Sequence, residues 1–132
     1  MKCTNWLLAD FISKSEKLGL LEDTVIIVQN DHLAMKNSVY SELQSSERRN
    51  LFFVFGPDIR AGKTDKPASL LDVYPTVLEA IGLPLKNSRA GLGVSLFSEE
   101  PTLVETLGED DMNKSIALNY ELRKHLWSHP SN

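Results

Sequence analysis

Two short apolar runs constrain this chain more than any other feature. Thr24 to Gln29 (TVIIVQ) and Leu51 to Phe55 (LFFVF) carry no polar alternation. A strand with one face in water alternates polar and apolar residues, so unbroken β-branched or aromatic runs point to strands covered on both faces. Neither run approaches the roughly 18 to 20 residues that a membrane-spanning helix needs. The apolar patch Trp6 to Ala9 is too short for the core of a secretory signal, so no signal or transmembrane segment is expected in these residues.

The segments around these runs supply helices. Leu7, Leu8, Phe11, Ile12 and Leu18 recur mostly at three- and four-residue spacing, with Ser13, Lys14, Glu16 and Lys17 between them, which predicts an amphipathic helix stopped by Gly19. Ser38 to Asn50 is polar and reads as a short surface helix or loop. Gly56 and Pro57 close the second strand, and Asp58 to Ala68 is an exposed loop. Leu70, Leu71, Tyr74, Val77, Leu78 and Ile81 mark the face of a third helical segment, with Pro75 in its first turn and Gly82 and Pro84 ending it. Asn87 to Glu100 is irregular, with a short strand at Gly93 to Phe97. A last helix capped by Asp110 or Asp111 runs to about Trp127, before Pro130. The sum is an α/β layer with a mostly parallel sheet covered by helices.

Charge removes one class of function. With 14 Lys and Arg against 18 Asp and Glu in 132 residues the net charge is -4, and no basic stripe accompanies Trp6, Trp127 or the Phe residues, so nucleic acid is not an expected partner. The aromatic residues read as core or interface packing. Cys3 is the single cysteine, which excludes an internal disulfide.

Four groupings could carry chemistry. Asp31 and His32 follow the first strand directly, at the carboxyl end where open α/β sheets bind ligands, and carboxylate oxygen with imidazole nitrogen suits Zn or Mn. The bland alternative is a solvated turn, and two ligands fall short of the usual three of a catalytic zinc site. Gly56 to Thr64 resembles a phosphate-binding loop but has five residues between Gly56 and Gly62 where that motif needs four, and Pro57 removes an amide. His125 and His129 stand four apart near a helix end and read as a surface pair. Arg48 and Arg49 offer either an anion contact or a solvated corner.

Taken in order, the motifs carry a resemblance. Asp23 to Asn37 (DTVIIVQNDHLAMKN) resembles the metal-binding segment of the sulfatase-like branch of the alkaline phosphatase superfamily, in which a strand delivers S-D-H. The wording D-H-L-A-M-x-N followed by N-L-F-F-V is similar to the bacterial phosphoglycerol transferases of osmoregulated periplasmic glucan synthesis, relatives of lipoteichoic acid synthases. Ser69 to Gly82 resembles the family's S-x-x-D-x-x-P-T-x-x-x-x-x-G helix, and Gly91 to Leu96 its G-L-G-x-S-L loop. The likeness covers about residues 1 to 100.

The resemblance implies an alkaline-phosphatase-like fold, of which residues 1–132 are a carboxyl-terminal portion without a separate second domain. It implies that Asp31 and His32 are two ligands of a Zn or Mn ion, and that a Thr nucleophile and a Glu ligand lie upstream, leaving no catalytic nucleophile here. Asn30 stands where the family has Ser. The implied reaction moves phosphoglycerol from a lipid donor to a periplasmic glucan at the outer face of the bacterial inner membrane. A sulfatase, another phosphotransferase of the superfamily, or a non-catalytic interaction module are the alternatives. The expected partners are the upstream part of the same domain or a second copy, either pairing an open sheet edge.

Overall fold

The computed structural model describes residues 2–128, and the chain divides into two compact units, Met1–Ala61 and Gly62–Asn132. The first unit opens with helix α1 (Lys2–Lys17), ended as expected at Gly19, whose positive φ of 72° suits a residue without a Cβ. An ion pair between Lys14 Nζ and Asp10 Oδ2 at 2.7 Å, one turn apart, supports the helix. A 3₁₀ turn over Leu20–Glu22 leads to strand β1 (Ile26–Gln29). Helix α2 (Tyr40–Gln44) is one exposed turn, and strand β2 (Phe52–Phe55) completes the unit.

The two strands pair antiparallel, Ile26 opposite Phe55 and Gln29 opposite Phe52. This corrects the expected parallel arrangement. An apolar run reads the same in either direction, so direction is decided by the connection, and a parallel return needs a crossover element able to span the sheet. The five residues of α2 are too short for that. Nor is either strand enclosed on both faces: Ile26, Ile27 and Val28 are half-buried and Phe53 is 48% exposed. Phe53 and Phe55 meet edge to face at 6.2 Å between ring centroids.

The second unit begins with an irregular stretch and a 3₁₀ turn over Leu70–Asp72 that runs into helix α3 (Val73–Ala80). Ser69 caps this junction: its hydroxyl accepts from Leu71 N, and Asp72 Oδ2 accepts from Ser69 N at 2.8 Å. Strands β3 (Arg89–Ala90) and β4 (Gly93–Val94) form a tight antiparallel pair. The expected strand from Gly93 to Phe97 is therefore cut to two residues. Past Val94 the chain turns inward, because Ser95 N donates to Ser88 O and Leu96 N to the Thr76 hydroxyl.

The expected last helix is two, and a further short helix that was not expected precedes them. Helix α4 (Leu103–Leu107) is started by a capping box in which Thr102 Oγ1 accepts from Glu105 N and Glu105 Oε2 from Thr102 N. Gly108, at φ 78°, breaks the chain before helix α5 (Glu109–Leu118), and Asn119, at ψ 80°, separates α5 from α6 (Tyr120–Trp127). The start is thus set by Gly108 rather than by an Asp110 or Asp111 cap. Trp6 and Trp127 are not core residues, being 65% and 84% exposed.

The best-enclosed part of the second unit is polar as much as apolar. Asp72, Thr76, Ser95 and Thr102 are buried, as are Pro75, Ala80, Val94 and Met112. Asp72 Oδ1 accepts from Val94 N at 2.8 Å while its Oδ2 is held by Ser69. Thr76 Oγ1 donates to Asp72 O at 2.6 Å and accepts from Leu96 N at 2.9 Å. The S-x-x-D-x-x-P-T helix and the G-L-G-x-S-L loop are therefore two halves of one lock. Gly93 permits it: a Cβ there would land on the Leu71 carbonyl. Every buried side-chain polar atom described has a partner, as burial in low dielectric demands.

Candidate functional site

Asp31 and His32 leave the end of β1 and are exposed, Asp31 at 86% and His32 at 52% of the side chain. Their mutual geometry is set by backbone contacts. Asp31 Oδ1 accepts from His32 N at 2.9 Å, which turns the other oxygen, Oδ2, to 3.5 Å from His32 Nε2. His32 Nδ1 lies 2.7 Å from the Leu33 carbonyl. A carbonyl only accepts, so Nδ1 carries a hydrogen, and in the neutral ring the lone pair is on Nε2, on the Asp31 side. A metal-ligating imidazole is commonly oriented in this way, its second nitrogen bonded to a carbonyl or carboxylate.

The turn that carries the pair is tied down from two directions. Asn30, partly buried, links the end of β1 to the start of β2: its Nδ2 donates to His32 O at 2.6 Å and to Asn50 Oδ1 at 2.8 Å, and its Oδ1 accepts from Leu51 N. Farther along, Arg48 Nη2 donates to Ala34 O at 2.5 Å while its guanidinium lies 5.4 Å from the Tyr40 ring centroid. Arg49 pairs with Glu47 at 2.9 Å. Arg48 thus braces the loop, and Arg49 is paired with Glu47 beside it. Sequence reasoning singled out Asp31 and His32 but passed over Asn50 and the role of Arg48. Their only signal was position, at the start of β2 and before it, where a partner of the β1 terminus must lie once the strands are antiparallel.

The pair fits one side of a divalent ion and no more. Carboxylate oxygen and neutral imidazole nitrogen are a suitable donor set for Zn or Mn. Among the described residues no group of three or more His, Cys, Asp or Glu stands close enough to hold a metal. His125 lies in α6, and its proposed companion His129 falls outside the described residues. The Gly56 to Thr64 loop does not open a helix, and Lys63 Nζ is paired with Asp65 Oδ1 at 2.9 Å. A depression of about 420 Å³ beside it includes Lys66, whose ammonium is already held by the Ser98 and Glu100 carbonyls at 2.8 and 2.5 Å.

Residues 1–83 match the sulfatase family. The chain belongs to that family. Its sulfatase-like character places it in the alkaline phosphatase superfamily, whose members share an α/β fold and generally use divalent metals. A protein of Shigella flexneri named phosphoglycerol transferase I is 36% identical over 99 residues, covering 74% of this chain and 13% of the relative. Proteins of the same name from Salmonella typhi and Salmonella newport are each 31% identical over 134 aligned residues, covering 98% of this chain and 16% of theirs. The chain therefore spans about one seventh of the length of these relatives. No solved structure matches it. No described helix is long and apolar enough to cross a membrane.

Proposed function

We propose that this chain is the carboxyl-terminal portion of a sulfatase-like catalytic domain that transfers phosphoglycerol from a lipid donor to a periplasmic glucan, at the outer face of the bacterial inner membrane. The orientation of Asp31 and His32, with Nε2 and Oδ2 turned to the same side, is the observation that supports it most directly. The names of the sulfatase-family relatives support the reaction type.

In this reading Asp31 and His32 would hold one side of a Zn or Mn ion, with Leu33 O keeping the imidazole hydrogen on Nδ1. A divalent ion at such a position lowers the pKa of a hydroxyl nucleophile and neutralises charge on the phosphoryl oxygens. A Thr hydroxyl and a Glu ligand would come from outside these 132 residues; the Thr oxygen, giving up its proton, would displace the lipid alcohol from the donor phosphorus, and a glucan hydroxyl would then displace the Thr oxygen, which takes back a proton. The rest of the domain also pairs the open edges of the β1–β2 sheet and covers half-exposed Phe53, with a second copy of the chain as the competing occupant.

The test is a chimera in which the aligned segment of the Shigella flexneri relative is replaced by this chain. Glucan phosphoglycerylation that is retained, and then lost in His32→Ala, is expected. Retention of activity in His32→Ala would overturn the reading. The isolated chain with Zn or Mn and a generic phosphodiester should show no turnover above buffer, since it lacks the covalent acceptor.

A further inference from the structure

Asn30 does more at the candidate site than end a strand. Its carboxamide has two hydrogens and an acceptor oxygen, and all are used: both hydrogens on the Nδ2 side, toward His32 O and Asn50 Oδ1, and Oδ1 toward Leu51 N. The orientation of the amide follows from its backbone partners, because Leu51 N can only donate and His32 O can only accept. The main chain repeats the tie, Asn30 N donating to Leu51 O at 3.3 Å. One side chain thus fastens the β1 terminus to β2 and fixes the carbonyl of the residue whose ring faces Asp31.

That carbonyl belongs to the peptide joining His32 to Leu33, and the next carbonyl, Leu33 O, is the one that holds His32 Nδ1. We propose that Asn30 is a positioning residue for the Asp31–His32 pair: by pinning His32 O it keeps Leu33 O against Nδ1 and so keeps Nε2 turned to the side of Asp31 Oδ2. This rests on the reading of Asp31 and His32 as metal ligands. A serine at the same place has one hydrogen to give and a shorter reach, so it cannot serve His32 O and Asn50 while accepting from Leu51 N. An aspartate matches the shape but turns an oxygen toward the His32 carbonyl, replacing attraction with repulsion.

The experiment uses the whole 132-residue chain as Asn30→Asp, Asn50→Ala, His32→Ala and the Asn30→Asp, His32→Ala pair. Ring ¹⁵N signals of His32 are recorded without metal at alkaline pH, where imidazole is neutral, and Zn alone is titrated by calorimetry. In Asn30→Asp the ring signals should move from the Nδ1–H form toward a mixture, with Zn binding weakened about 10- to 100-fold. Asn50→Ala loosens the same strand junction without touching His32, and should leave the ring signals in place. Adding Asn30→Asp to His32→Ala should change Zn binding no further. Unchanged ring signals in Asn30→Asp, or an equal shift in Asn50→Ala, would overturn the proposal. Zn binding in the unaltered chain that ignores His32→Ala would instead overturn the metal reading, an outcome separate from the ring signals.

Discussion

Asp31 and Asp72 both stand in stretches that resemble family motifs, and their surroundings differ in nearly every respect. Asp72 is 1% exposed, and its two oxygens receive Val94 N, Ser69 N and the Ser69 hydroxyl. Asp31 is 86% exposed in its side chain, takes one backbone hydrogen on Oδ1 and turns Oδ2 outward beside His32 Nε2. A carboxylate whose acceptor sites are filled by its own fold supports architecture; one with an oxygen to spare, next to an imidazole lone pair, is available to a ligand. Motif resemblance alone does not separate the two.

The contrast makes the second unit the place where substitutions should cost most in stability. Asp72→Ala would leave the buried Val94 amide without an acceptor and loosen the Ser69 cap, a loss on the order of 4 kcal/mol. Urea unfolding followed by circular dichroism should show it as a large drop in midpoint; an unchanged midpoint would mean that the lock is not structural. Gly93→Ala drives a methyl into the Leu71 carbonyl and should cost about 3 kcal/mol by the same measurement. Thr76→Val keeps the shape but strands Leu96 N and should cost about 1 to 2 kcal/mol. At the other end of the scale, His32→Ala at an exposed turn should change stability by no more than about 0.5 kcal/mol. A destabilisation there comparable with Thr76→Val would erase the distinction between the two sites.

Local signals carried much of this into the sequence reading. The period of α1 and its stop at Gly19, the two apolar strands, and the Pro75 and Gly82 boundaries of the third helical segment were readable because each is decided by neighbours in the chain. Strand direction was not, since TVIIVQ and LFFVF carry no polarity and the connection between them decides it. The break at Gly108 was readable and passed over: Thr102 and Glu105 have capping-box spacing, which places a helix before Asp110. The lock between Asp72 and Val94, 22 residues apart, and the reach of Asn30 to Leu51, 21 apart, are tertiary pairings with no local pattern to announce them. Of the candidate site, Asp31 and His32 were legible as candidates, and the contacts that orient them were not.

The most direct measurement is a Zn titration of the whole chain at neutral pH, set against the Asp31→Ala, His32→Ala double variant. Two protein ligands with water completing the coordination should give weak binding that the double variant abolishes, with folding unaltered. Tight binding that survives the double variant would contradict this and move attention to His125 and His129.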